Sequence, residues 1–368
     1  MDRDLSHVGE AIEAFKRGEM LVVTDDDDRE NEGDLFIAAE HCTQEAMAFI
    51  VRHTSGIVCA PMPLDNAKRL RLDPMVASND APLGTAFTVS VDVRHGLTTG
   101  ISAEERTNTV RALANGNVGA DDFVRPGHVF PLIAREGGVL VRSGHTEACV
   151  DLCQLAGLEP VGVLAELVND NGTVTRGEEV LAFAKEHALK MVSVADLIAW
   201  RQRSERLVTR ADEGDIETKF GPARVYTYDV PFDAMQHMAI VYGNSVGARD
   251  VPVRLHLERV SEDVFGASSR LDEVMEKFAA EDRGVIVYLR EGSVGVAPTS
   301  ARHSRAALQV EDDHRTADLR ANEWREIGLG AQILRDLRLS SIRILSSQER
   351  TYVGLEGFGI RIIGTEIV

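Results

Sequence analysis

Seven of the ten residues from Asp25 to Asp34 are carboxylates, in the run DDDDRENEGD, and they follow directly on the apolar stretch Met20-Leu-Val-Val-Thr24. So many like charges in one loop repel one another unless a cation or a basic ligand offsets them. The stretch before them reads as a short buried strand. The chain is therefore constrained to an architecture in which a strand ends at an open acidic rim, where α/β sheets usually bind ligands. Charge alone also describes a solvated turn, and it is the position at a strand end that favours a ligand site. The Gly and Glu spacing does not fit an EF-hand loop. Carboxylates with open water positions suit Mg²⁺ or Mn²⁺ better than zinc, and Arg29 offers a fork for a phosphate or hydroxyls.

Around this loop, helical and extended patterns alternate. Val8, Ile12 and Phe15 form a helical stripe that stops at Gly18, and a second helix is predicted over Thr43 to His53. Ser102 and Glu105 make a capping box before a helix that runs out near Gly116. Gly138–Arg142 and Val161–Val168 read as strands, and helices are expected near Gly177–Leu189 and Ser193–Arg206. The charge-dense stretch Arg201–Asp215 reads as a boundary. Beyond it strands are expected at Ala223–Asp229, His237–Tyr242, Val251–Glu258, Gly284–Arg290, Ser341–Leu345 and Gly359–Gly364, with a helix around Ala331–Leu337. A chain of 368 residues exceeds one typical core. The fold class expected is a two-domain α/β (α+β) protein, with domains at 1–205 and 206–368.

A second motif, Arg142-Ser143-Gly144-His145-Thr146-Glu147, falls between a predicted strand and a predicted helix. Free N–H groups at a helix start attract anions, Arg142 and Thr146 would add donors for a phosphate, and His145 can bind a metal or move protons. The same residues also describe an ordinary capped helix, with Thr146 as the N-cap.

Composition narrows the classes. Acidic residues number 59 against 40 basic, a net charge of −19, and no Lys/Arg-rich run stands out, so no nucleic-acid partner is expected. No run of eighteen apolar residues suggests a membrane span, and the polar start Met1-Asp2-Arg3-Asp4 does not resemble a secretory signal; a cytoplasmic location is expected. Cys149 and Cys153 lie four apart, but no second pair completes a zinc set, and both read as small buried residues.

Taken in order, DDDDRENEGD, TTGISAEER, RPGHVFPL, RSGHTEA and AELVNDNGT resemble the motifs of 3,4-dihydroxy-2-butanone 4-phosphate synthase of riboflavin biosynthesis, over about residues 5 to 200. The resemblance implies a lyase that converts D-ribulose 5-phosphate to L-3,4-dihydroxy-2-butanone 4-phosphate and formate with Mg²⁺ or Mn²⁺, two ions per site being possible. It implies Glu30 and His145 as metal ligands, and Arg29 and Asp34 as substrate contacts. Arg142, Ser143, Gly144, His145 and Thr146 would form the phosphate end. His128 and Glu166 would be essential for catalysis, with Glu30 and Asp34 beside them, and Glu166 would also touch the substrate. Glu32, Asp27 and Asp28 are further candidates for the base. A homodimer with His128 acting across the interface is implied as well.

The second half resembles GTP cyclohydrolase II in Glu262–Gly266, Arg290–Gly292, Gly330–Leu334 and Gly357–Ile360. That family holds a catalytic zinc through three cysteines. Here their places fall near Arg259, Arg270 and Asp272, and no cysteine follows Cys153. A guanidinium cannot replace a thiolate on a metal. The catalytic tyrosine place reads near Ile327, and Arg325 alone persists from that region. No zinc and no GTP opening are therefore expected, the alternative being a bifunctional enzyme with another ligand set. A non-enzymatic scaffold with an acidic surface patch is the reading from a different class.

Overall fold

A computed structural model describes residues 5–25, 30–231, 235–265, 270–290, 328–346 and 358–367. The chain divides into two compact units, Leu5–Trp200 and the residues from Arg201 onward.

The first unit is a seven-stranded mixed sheet among the described residues, in the order β4-β5-β3-β6-β2-β1-β7. The strands are β1 (Leu21–Thr24), β2 (Gly33–Ala38), β3 (Cys59–Met62), β4 (Val91–Val93), β5 (Phe123–Ile133), β6 (Gly162–Glu166) and β7 (Lys190–Ser193). The helices are α1 (Ser6–Lys16), α2 (Gln44–His53), α3 (Leu64–Arg69), α4 (Ala103–Ala114), α5 (His145–Leu155), α6 (Glu178–Glu186) and α7 (Val194–Ser204). Side chains alternate across a strand, and both faces of this sheet are apolar. Val22, Leu35 and Ile37 pack with Met47 of α2, Val110 of α4 and Val180 of α6. Leu21, Val23 and Phe36 pack on the other face with Phe15 of α1, Leu152 of α5 and Leu197 of α7. Each such side chain contributes roughly 1.5–3 kcal/mol on burial. The result is three layers, helix–sheet–helix.

The stop at Gly18 and the capping box are as expected: Gly18 has φ +84°, and Ser102 and Glu105 cap α4 reciprocally. The strand expected at Gly138–Arg142 is instead a short 3₁₀ turn, Gly138–Leu140. Gly137 and Gly138 both have positive φ, +93° and +62°, and two such residues in succession turn the chain out of an extended course. The buried Asp151 carboxylate then captures the Val139 N–H at 2.9 Å. Strand β2 carries no strand signal in the sequence, because every one of its residues is buried, so it shows no alternation, and Gly33 and Asp34 open it.

The second unit is also a seven-stranded sheet among the described residues, in the order β14-β13-β11-β12-β10-β9-β8. It contains β8 (Thr209–Thr218), β9 (Gly221–Asp229), β10 (His237–Gly243), β11 (Val251–Leu257), β12 (Arg283–Leu289), β13 (Ser341–Ser346) and β14 (Arg361–Ile367). Helices α8 (Val260–Asp263) and α9 (Arg270–Ala280) lie between β11 and β12, and a helix α10 covers 328–336. Strands β14, β13, β11 and β12 run parallel, while β12, β10, β9 and β8 alternate in direction. The Arg201–Asp215 stretch is not a loose linker. It holds the end of α7 and the first half of β8, an edge strand whose charged residues are mostly exposed, so its sequence carries no apolar period. Gln332 of α10 accepts the Leu207 N–H at 2.6 Å and donates to the Gln202 and Glu205 carbonyls. No described helix is long and apolar enough to cross a membrane.

Candidate active site

The acidic run is the connection between antiparallel β1 and β2, and Asp25 staples it from within. Its Oδ2 accepts the Glu30 N–H and its Oδ1 the Glu32 N–H, each at 3.0 Å. Asn31 takes the left-handed conformation at φ +53°, which reverses the chain into β2. Glu32 turns away to Arg176, Oε1 to Nη2 at 2.6 Å. Gly33 must lack a side chain, because a Cβ there would lie 2.5 Å from Val180 Cγ1. Arg29, Asp27 and Asp28 lie outside the described residues.

Register completes the cluster. Asp34 of β2 pairs with Glu166, the last residue of antiparallel β6, so two carboxylates from distant parts of the chain meet across one rung. Helix α5 begins at His145, whose Nδ1 lies 3.6 Å from Asp34 Oδ1 and 3.7 Å from Glu30 Oε2. Phe36, two residues along β2 from Asp34, sets its ring edge to face against the imidazole at 6.0 Å. Ligand atoms of Asp25, Glu30 and His145 all lie within 4.8 Å of one another.

Electrostatics follow from this crowding. Asp34 is 1% exposed, and burial raises its carboxyl to about 7; His145 opposes the rise, and Glu166, Glu30 and Asp25 add to it. Glu166 sits at the solvent-facing end of β6, yet partial desolvation and the charges of Glu32 and Glu30 also raise it. Asp34 Oδ1 is buried without a hydrogen-bond partner among the described residues. A buried acceptor left so is costly, and Asp25 and Glu30 beside an imidazole form a candidate donor set for a divalent cation.

Of the residues singled out from sequence, Glu30, Asp34, His145 and Glu166 converge. His128 does not join them: its Nδ1 pairs with Asp92 Oδ2 at 2.7 Å. Arg142 faces inward, donating to Glu147 Oε2 at 2.6 Å, Leu83 O at 3.1 Å and Thr85 Oγ1 at 3.2 Å. Glu147 is 1% exposed and also accepts the Arg135 N–H, so Arg142 is neutralised and ties two loops to α5. The N-cap is Gly144 and not Thr146. A Cβ at Gly144 would lie 2.5 Å from Arg142 Nη1, so a larger residue there would have to displace that guanidinium. Ser143 is partly exposed, and Thr146 is buried at the first turn. Three groups escaped the sequence reading: Asp25 as a staple, Glu147 as the partner of Arg142, and Asp92. The last had a signal, a lone charge between Val91 and Val93 in a buried strand.

Residues 9–200 match the family of 3,4-dihydroxy-2-butanone 4-phosphate synthase, and residues 209–366 match GTP cyclohydrolase II. The chain belongs to the 3,4-dihydroxy-2-butanone 4-phosphate synthase family. It is 46% identical over 376 residues to the bifunctional riboflavin biosynthesis protein RIBA 1 of Arabidopsis thaliana, covering 98% of this chain and 68% of that one. The crystal structure of RibBX, a two-domain 3,4-dihydroxy-2-butanone 4-phosphate synthase from A. baumannii, superposes with a TM-score of 0.82 at 34% identity, covering 98% of this chain and 99% of that one. A 3,4-dihydroxy-2-butanone 4-phosphate synthase in complex with two magnesium ions covers 54% of this chain and 97% of its own, at 47% identity and a TM-score of 0.52. The first unit is thus a 3,4-dihydroxy-2-butanone 4-phosphate synthase, and the second is a domain of the GTP cyclohydrolase II family.

Proposed function

We propose that the first unit converts D-ribulose 5-phosphate to L-3,4-dihydroxy-2-butanone 4-phosphate and formate for riboflavin synthesis, and that the second unit does not open GTP. The observation that carries the first part is the convergence of Glu30, Asp34 and Glu166 on His145. Glu30 and His145 would hold Mg²⁺ or Mn²⁺, the imidazole being comfortable for Mn²⁺. When bound, such an ion supplies Lewis acidity for charge developing on a carbonyl oxygen. Asp34, raised to about 7, can accept and return protons near neutral pH and also holds substrate hydroxyls, with Glu166, raised by desolvation and its acidic neighbours, directly opposite it. The N-terminus of α5, with Ser143, Gly144 and Thr146, takes the phosphate, and Arg142 braces that turn. His128 supplies a further acid/base group. The working form is a cytoplasmic homodimer.

For the second unit, the residues present do not fit zinc. Arg259 donates to Glu262 at 3.2 Å, and Asp272 pairs with Lys219 at 3.1 Å. All four cysteines are buried in the first unit. Ile327 and Arg325 lie outside the described residues. The name of the Arabidopsis relative favours a second reading, an enzyme that also opens GTP.

Both reactions release formate, so the assay must vary the substrate. Formate is expected from ribulose 5-phosphate and not from GTP, with no zinc in the purified chain. Glu30→Ala should abolish release while the circular dichroism stays unchanged. Full activity in that variant removes Glu30 from the site. Zinc at one per chain with GTP consumption establishes the bifunctional reading instead.

A further inference from the structure

His128 stands on β5, and Asp92, on the neighbouring β4, grips it twice. Oδ1 accepts its backbone N–H at 2.8 Å, and Oδ2 lies 2.7 Å from its Nδ1. The Asp92 side chain is 4% exposed and that of His128 is 40% exposed. An ionised carboxylate only accepts, so the ring proton belongs on Nδ1 and the lone pair on Nε2. Gly100 closes over this pair. At φ +84° a Cβ there would lie 2.1 Å from Asp92 Oδ2 and 2.6 Å from His128 Nδ1, so only glycine fits.

The loop that carries Gly100 is itself clamped. Glu105 Oε1 accepts the Thr98 N–H at 2.6 Å and the Thr98 hydroxyl at 2.8 Å. Glu105 Oε2 accepts the Ser102 hydroxyl at 2.8 Å. The Thr98 N–H and hydroxyl, then the Ser102 hydroxyl, hold this carboxyl down to about 2.

We infer that Asp92 is a positioning residue for the synthase reaction. It locks His128 in the Nδ1–H tautomer and leaves Nε2 as a proton acceptor for the sugar phosphate in the site of the second copy of the proposed homodimer, while the Glu105-clamped loop keeps Gly100 sealed over the pair. The inference rests on the reading of His128 as a catalytic group. It adds what sets that group's tautomer. A carboxylate in this place also stabilises the imidazolium formed when Nε2 takes a proton.

The test uses the full chain with Mg²⁺ and ribulose 5-phosphate, and compares Asp92→Asn, Asp92→Glu and His128→Ala. Asp92→Asn keeps the shape but can donate to Nδ1, which drives the ring proton to Nε2. Expected are a kcat lower by on the order of 100-fold, KM within about twofold, and ¹⁵N shifts of the His128 ring switching to the Nε2–H pattern. Asp92→Glu should keep the Nδ1–H pattern and recover part of kcat. A kcat within about threefold of the parent overturns the inference, and so does a loss of kcat with the His128 tautomer unaltered. His128→Ala with full activity sinks the underlying reading of His128 instead. If Asp92→Asn fails to fold, Glu105→Gln decides, since it loosens the loop without touching β4. A partial loss of kcat with mixed tautomer signals supports the inference, and an unchanged ring spectrum overturns it.

Discussion

Asp34 and Glu166 are direct partners across the β2–β6 rung, two carboxylates held opposite each other at the ends of two interior strands of a buried sheet. Like charges in that relation destabilise a sheet, and burial adds to the strain. The chain retains them where His145 and Glu30 also converge. A divalent cation seated there would offset the repulsion and favour the charged forms.

The metal-free protein should therefore lose stability as pH rises from about 4 to about 7. Asp34 is raised from 3.8 to about 7, so its protonated form is favoured in the folded state. Its contribution is fully present below the ordinary carboxyl value and is lost as pH rises through about 7. Calorimetry in chelator should show the melting temperature falling between about pH 4 and 7 and levelling above that, with a smaller fall in Asp34→Asn. Identical pH curves for the two proteins would discount the burial argument.

Cation binding should act in the opposite sense. A ligand at about 100 times its Kd stabilises the folded form by ~2.7 kcal/mol. Mg²⁺ or Mn²⁺ should raise the melting temperature of the parent by several degrees, and of His145→Ala or Glu30→Ala by little. An undiminished shift in both variants would move the cation to another set of ligands, and no shift in the parent would remove the cation from this cluster.

How much of this was legible depends on whether the chemistry lay in local patterns. The capping box Ser102/Glu105 and the helix stop at Gly18 are local, and both were readable. Asp34 beside Glu166 is a matter of strand register between segments more than a hundred residues apart, and only the ordered family motifs connected them. Strand β8 lacks an apolar alternation because it is an edge, and β2 lacks one because both its faces are buried. The Gly138–Arg142 stretch looked extended by its Val-Leu-Val content. The left-handed Gly137 and Gly138 at its start and the distant Asp151 decide otherwise.

Glu32 was a candidate base, and its pairing with Arg176 argues for an anchor. The Glu32 side chain is 13% exposed and that of Arg176 is 57% exposed. A half-exposed pair contributes at most about 1 kcal/mol. Arg176→Ala should therefore lower the melting temperature only slightly, and Glu32→Gln should reduce kcat by less than about tenfold. A loss of 100-fold or more in Glu32→Gln, on the order expected for a general base, would restore it to the chemistry.

Packing behind the site should matter as much as the charges within it. Gly162 of β6 faces α5 so closely that a Cβ would lie 2.2 Å from Cys149 Sγ, with Cys153 Sγ next at 3.5 Å. Overpacking of this kind costs about 1–3 kcal/mol. The same displacement carries a functional cost, because α5 begins at His145 and β6 ends at Glu166. Pushing helix from strand separates the two and loosens the cluster around Asp34. Gly162→Ala should thus lower both the melting temperature and kcat, and Cys149→Ala, by removing the sulfur, should restore both in the double variant. Recovery of stability without recovery of kcat would show that the helix–strand spacing at Gly162 does not set the geometry of His145 and Glu166.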